Sequence, residues 1–239
     1  MQNFGWIAVF ALGSLIVNSF GVYFIYKNNE WADRLKEYFM CFAAGMLITS
    51  PLIMTFPEAL SKNDKAGFAA IVGFVFMFFS NKYIKHKTHQ KELAFGITAV
   101  EGIGIHSFVD GIIYTVTFSV SIFTGILSSM GLVIHEFAEG VITYSVLLKG
   151  GMSAKKAAFF AFLVAGLTTP IGAFLVYPFI NKFSDSFLGL ALGFVVGVLI
   201  YISAGHLLPE ATEYEKKHSN IAFILGVGLA VFIMLLGGD

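Results

Sequence analysis

Eight stretches of this chain, at roughly 4–26, 38–60, 66–84, 94–118, 123–148, 156–180, 187–208 and 219–237, are apolar over close to twenty residues or more. Crossing the hydrocarbon core of a bilayer takes about 20 apolar residues in a helix. No water satisfies a backbone at that depth, so an apolar run of this length must be helical. Charged residues make up only 13% of the chain and gather between the runs. The connectors "KNNEWADRLKE", "SKNDK", "KHKTHQKE", "KGGMSAKK" and "EYEKKHSN" are charged, "NKFSDS" is short and polar, and "SVSIFTG" is uncharged with a turn-compatible Gly125. None has room for a second domain, so residues 1–239 read as one all-α integral membrane domain of eight transmembrane helices. The first run lacks the basic flank and small-residue cleavage site of a signal peptide and reads as a retained helix.

The formal net charge is zero, so no nucleic-acid partner is expected, and the lipid bilayer is the evident surroundings. A single cysteine, Cys41, excludes an internal disulfide framework and a thiolate cluster, and reads as a small core residue. With the N-terminus outside, twelve of the fifteen lysines and arginines fall in the four cytoplasmic connectors. By the positive-inside rule both termini then face outside, which in a prokaryote is the far side of the inner membrane.

The second run ends "TFPEALSKND" and the seventh "HLLPEATEYE". Five helices apart, these Pro-Glu-Ala ends face opposite sides of the membrane. An inverted repeat of helices 1–3 and 6–8, with 4 and 5 between them in a 3+2+3 arrangement, would produce that pattern, as would coincidence at a proline-marked helix end.

Ionisable residues inside the runs are concentrated in two of them. The fourth carries Glu101, His106 and Asp110 ("GIHSFVDGII"), and the fifth His135, Glu136 and Glu139 ("VIHEFAEGVI"). Each costs on the order of 3 kcal/mol at the bilayer centre, so three on one helix must face a polar interior. Residues four apart share a helix face, which aligns His106 with Asp110 and His135 with Glu139. Both histidines lie near mid-run on antiparallel neighbours, so the two pairs can converge near the midplane. Two imidazoles and two carboxylates suit Zn²⁺, Fe²⁺ or Mn²⁺, and the lack of thiolates argues against Cu(I). The alternative is a hydrogen-bonded structural network, which two matched pairs make the poorer reading. Ser107 and Glu136 follow the histidines and could form a second rung, with Asp110 and Glu139 bridging. Gly111 and Gly140, after the carboxylates, fit close helix approach.

These residues resemble the ZIP (Zrt/Irt-like) family of divalent metal transporters, and the resemblance runs the length of the chain. The family's fourth helix typically reads His-Asn-x-x-[Asp/Glu]-Gly and here is "HSFVDG"; its fifth often begins His-Glu and here is "HEFAEG". "KHKTHQ" matches the family's histidine-containing loop between helices 3 and 4, and "KGGMSAKKAAFFAFLVAGLTTPIGAF" its passage into helix 6. The resemblance implies a midplane transport site at His106, Asp110, His135 and Glu139, and a second site at Ser107 and Glu136 sharing both carboxylates. Three departures weaken that second site or alter helix geometry. Ser107 replaces asparagine, Val109 and Ala138 stand where many members have proline, and Thr169 stands where some bacterial members have glutamate. The expectation is one strong ion site. Met46 lies one residue from the place of a soft ligand that the family often has on helix 2.

Other candidates lie along a pathway. Glu101 is about 7.5 Å along the axis from His106 and about 140° around it, so it lines an exit path or pairs structurally. His206 and Glu210 sit near the cytoplasmic end of helix 7, and Glu58 near the outer end of helix 2, where interfacial anchoring is the simpler role for both glutamates. His86 and His89 lie in the lysine-rich loop and hold an ion transiently or are merely solvated.

The function expected is import of a divalent cation, zinc first, with iron, manganese or cadmium as alternatives. No catalytic cofactor is implied, the metal is the transported substrate, and a homodimer is one possible assembly. Protons compete with the metal, since binding needs neutral histidine and ionised carboxylate. Two other functions fit the sequence less well. An intramembrane metalloenzyme would need the second histidine of HExxH, where this chain has Glu139, and an open zinc position. A cation exporter with HxxxD in the membrane usually has six spans and a soluble C-terminal domain.

Overall fold

The computed structural model describes residues 3–120, 122–209 and 218–237. All regular structure among them is helical. Helix α1 is Phe4–Lys27. α2 begins as Asn29–Ser50, passes through a π-helical turn at Pro51–Thr55 and ends as Phe56–Lys62. α3 is Ala66–Thr88, α4 Lys91–Val120 and α5 Ile122–Lys149. α6 comprises Ala154–Ala161, a π turn at Phe162–Gly166 and Thr168–Val176, followed by a 3₁₀ stretch at Tyr177–Lys182. α7 is Asp185–Ile202 followed by a π turn at Ser203–Leu207, and α8 is Ser219–Gly237. Among the described residues, six helical rods are long and apolar enough to cross a membrane: Phe4–Lys27, Tyr38–Lys62, Ala66–Thr88, Lys91–Ser119, Ala154–Ile180 and Asp185–Gly205. Ser219–Leu235 is a shorter apolar helix.

Three connectors are shorter than the sequence suggests. α2 starts at Asn29, so most of "KNNEWADRLKE" is helical. Its Glu, Ala, Arg, Leu and Lys are strong helix formers, and a helix can continue past the bilayer into water. α3 likewise runs through His86 to Thr88, leaving His89 as a left-handed cap with φ 54°. Gly125 makes no turn; it lies inside α5, packed on the ring of Phe118. Cys41 is buried, in keeping with a small core residue.

The helices meet at glycines. A Cβ on Gly45 would strike the carbonyl of Phe223, and one on Gly226 that of Phe42, which joins α2 to α8. Gly73 faces the Phe194 carbonyl and Gly197 that of Ala70, joining α3 to α7. Gly21 and Gly140 join α1 to α5 through the carbonyls of Phe137 and Asn18. Gly111 and Gly172 join α4 to α6 through those of Thr169 and Phe108. Only a residue without a side chain lets two membrane helices approach this closely.

These contacts recur at fixed intervals. Phe42, Gly45, Leu47, Ile48, Pro57, Glu58 and Ala59 return 152 residues later as Phe194, Gly197, Leu199, Ile200, Pro209, Glu210 and Ala211. Gly73 and Gly226 are 153 apart, Gly21 and Gly172 are 151 apart, and Gly111 and Gly140 are 29 apart. The π turns of α2 and α7 both end two residues before the proline of Pro-Glu-Ala.

Candidate metal centre

Helices α4 and α5 pack side by side as antiparallel neighbours, which sets Asp110 opposite His135 and Ser107 opposite Glu139 and gathers both His-carboxylate pairs at one level. One ligand atom from each of these four residues lies within 4.8 Å of the others. Asp110 Oδ2 is the hub, 2.9 Å from His135 Nε2 and 3.4 Å from His106 Nε2. Glu139 Oε2 lies 3.6 Å from His135 Nε2. The imidazole rings are 5.6 Å apart and tilted by 32°. Both carboxylates are buried. Glu139 Oε2 has no hydrogen-bond partner among the described residues. A buried carboxylate oxygen left unpaired is costly, and a cation between the four groups would satisfy it.

The two residues expected to form a second rung stand differently. Ser107 is fully buried; its hydroxyl donates to Glu139 Oε1, and its oxygen also lies 2.9 Å from the Ile103 carbonyl. Glu136 is outside the four-residue group and its carboxylate is engaged elsewhere. Asn18 Nδ2 donates to one oxygen at 3.0 Å, and Thr169 Oγ1 to the other at 3.1 Å. Asn18 escaped the sequence reading because it is uncharged. Its position, 151 residues before Thr169 and adjacent to the α1–α5 glycine contact, was the available signal.

A cavity of about 480 Å³ leads to the cluster. Its walls include Ile103, His106, Asp110 and Ile113 of α4, with Leu132, His135, Glu139 and Ile142 of α5 at the same 29-residue interval. Met46 lies on the α2 wall. Glu58, expected to be an interfacial anchor, also lines the cavity.

The remaining candidates are not gathered here. Glu101 turns to α3, where Ser80 Oγ lies 2.7 and 2.9 Å from its two oxygens. The His86 and His89 rings stand 6.0 Å apart at the end of α3, away from the cavity. The side chain of His206 and the whole of Glu210 lie outside the described residues.

The family model described as ZIP Zinc transporter matches residues 85–234, which include both His-carboxylate pairs. The chain belongs to the ZIP family. Among similar ZIP-related proteins, the Zinc transporter ZupT of Chlorobium chlorochromatii is 36% identical over 148 residues, 62% of this chain and 55% of that protein. The ZupT of Akkermansia muciniphila is 32% identical over 199 residues, 82% of this chain and 69% of its own length. That of Lysinibacillus sphaericus is 30% identical over 225 residues, covering 82% of this chain and 83% of its own length. The first relatives are thus matched over little more than half of their own length.

Proposed function

We propose that this chain carries divalent cations, zinc first, across a cell membrane into the cytoplasm. The convergence of His106, Asp110, His135 and Glu139 at a cavity carries the reading. ZIP membership and relatives named zinc transporters support the choice of cation. Transport fits better than catalysis, since four protein ligands leave zinc no open position. The direct test is zinc uptake by proteoliposomes holding the purified chain. A rate equal to that of empty vesicles would overturn the proposal.

The proposed frame is eight transmembrane helices in a 3+2+3 inverted repeat with both termini outside. The recurrence of glycine contacts between α2 and α8 and between α3 and α7 supports it. Cysteines placed singly in "KHKTHQKE", in a Cys41→Ser background, are expected to react with an impermeant thiol reagent only from the cytoplasmic side. Cysteines added at either terminus should react only from outside, and the opposite pattern would reverse the orientation.

The same repeat supports an alternation of access. The cavity wall includes Leu47, Ser50, Thr55 and Ala230, whose repeat counterparts are Leu199, Ile202, Leu207 and Met77. Those four counterparts are at most 1% exposed. Beside them Asn81 Nδ2 donates to the Tyr201 hydroxyl at 2.9 Å and Thr98 Oγ1 to Asn81 Oδ1 at 3.2 Å, tying α3, α7 and α4 together. One face of the repeat is open to the cluster while its counterpart is shut. Exchange of those two arrangements, by movement of helical bundles against each other, would carry the ion inward.

One ion per chain is expected to bind tightly. Two divalent ions a few ångströms apart need carboxylates to offset their repulsion, and Glu136 is already engaged by Asn18 and Thr169. Glu136→Gln should therefore bind zinc with near-unchanged affinity and still transport it, and Thr169→Glu should strengthen a second position. Calorimetry on the purified chain decides this; two ions of similar affinity would contradict it.

A further inference from the structure

The wall that α2 presents to the cavity carries a regular stripe. Met46, Ser50, Met54, Glu58 and Lys62 all line it, one at every fourth residue. A four-residue step overshoots a 3.6-residue helical turn by about 40°, so an unbroken α-helix would carry such a stripe off the cavity within three steps. The π turn at Pro51–Thr55 falls in its middle. It accommodates one extra residue per turn and takes back that drift, which keeps Met54, Glu58 and Lys62 on the cavity side.

The charges of the stripe lie at its far end. Among the described residues, Glu58 is the one carboxylate of the cavity wall outside the four-residue cluster, and Lys62 the one ammonium. Glu58 stands about 18 Å along the helix axis from Met46, too far to touch an ion in the centre. Lys62 is drawn sideways: its Nζ lies 3.9 Å from Oδ1 of Asp185, at the start of α7, whose side chain is 84% exposed. The cavity therefore presents an exposed carboxylate at its mouth, followed inward by a thioether and a hydroxyl, while the competing ammonium is partly neutralised by a group outside.

We infer that Glu58 is the capture residue of this pathway, drawing the hydrated divalent cation to the cavity mouth before it reaches the four-residue centre, and that Lys62, balanced by Asp185, sets how strongly it does so. A cleft with low-dielectric walls focuses the field of such a group, and steering of this kind changes capture rates by about tenfold or more. It acts on encounter and leaves affinity at the centre unchanged. The inference rests on the transport proposal, and its test separates the two.

Initial rates of zinc uptake are measured in proteoliposomes at low ionic strength over a range of zinc concentrations. Glu58→Gln is expected to raise KM roughly tenfold. The maximal rate and the equilibrium zinc affinity of the purified chain should both stay within about twofold of the unmodified values. Lys62→Gln should shift KM the other way, Asp185→Asn should raise it by freeing the Lys62 charge, and Glu58→Gln with Lys62→Gln should return it toward the starting value. At 1 M salt, where the screening length is about 3 Å, these differences should collapse. A role in folding alone would lower yield without opposite signs for Glu58 and Lys62. An unmodified chain that takes up no zinc would remove the transport proposal itself. An unmodified chain that transports, alongside a Glu58→Gln variant of unchanged KM, would overturn this inference alone.

Discussion

Alanine in place of His106 or His135 is expected to abolish zinc uptake while the protein still inserts and folds. Each imidazole is one of only four groups gathered within 4.8 Å of one another. Loss of a supporting partner outside a metal's ligand shell typically costs 10–100-fold in affinity, so loss of a ligand should cost roughly 100-fold or more. His135 carries the larger expectation. Its Nε2 lies 2.9 Å from Asp110 and 3.6 Å from Glu139, so its loss leaves the buried Asp110 carboxylate with only the longer 3.4 Å contact to His106 among these imidazoles. His106→Ala leaves the His135–Asp110 contact in place and should keep weak binding of zinc. Uptake and calorimetric affinity measured together check this, with surface labelling and thermal unfolding to show that the variants are folded. Full uptake by the double variant would remove these residues from the pathway.

The second large effect is on stability. Gly197→Val is expected to lower the unfolding temperature by roughly 10 °C or to prevent accumulation of folded protein. A Cβ at Gly197 would stand 2.7 Å from the carbonyl carbon of Ala70 and 2.7 Å from the amide nitrogen of Phe74. Both are peptide atoms and cannot rotate away as a side chain would, so α3 and α7 must separate. Overpacking of a well-filled interior costs about 1–3 kcal/mol and occasionally more. A contact against backbone belongs at or above the top of that range, and in a domain this size about 3 kcal/mol corresponds to a shift near 10 °C. Gly228→Val is the control: nothing lies within 4 Å of its added Cβ, and the change should be tolerated. Equal yields and unfolding temperatures for the two variants would show that the α3–α7 contact contributes little.

The His-carboxylate cluster was legible because charge in an apolar run is rare and helical spacing is rigid. His106 with Asp110 and His135 with Glu139 could be placed on common faces from their spacing alone. That Glu58 faces the cavity was not legible, because it depends on which way the end of α2 points. That is set by the π turn at Pro51–Thr55, and apolar composition does not announce an extra residue in a turn. The contact of Asn18 with Glu136 was hidden for a related reason. A neutral amide carries no charge signal, and its target lies 118 positions away in the chain. The repeat was visible only as Pro-Glu-Ala. The longer match through Phe42 and Gly45 gains meaning when the glycines are seen against the carbonyls of Phe223 and Phe42. Connectors were overestimated because hydropathy marks where lipid ends, whereas the helices of α2 and α3 extend past that point.

The glycine contacts also divide the molecule mechanically. Backbone-to-backbone joints link α1 to α5, α4 to α6 and, through Gly96 and Gly150, α4 to α5. A second set links α2 to α8, α3 to α7 and, through Gly189 against the Ala59 carbonyl, α2 to α7. Gly102 of α4, facing α7 across the two sets, meets side chains first: its added Cβ would lie 2.9 Å from Ile202 Cγ1 and 3.2 Å from Val198 Cγ1. Peptide against peptide is a hard joint that transmits force. Methyl against methyl is a bearing surface that can slip, at a cost of about 0.5–1.5 kcal/mol for each side chain pushed out of its rotamer. A load applied to α1 is thus carried peptide to peptide to the helix that bears His135 and Glu139, whereas one applied to α7 reaches α4 through side chains, those of Ile202 and Val198 and the Tyr201–Asn81–Thr98 hydrogen bonds.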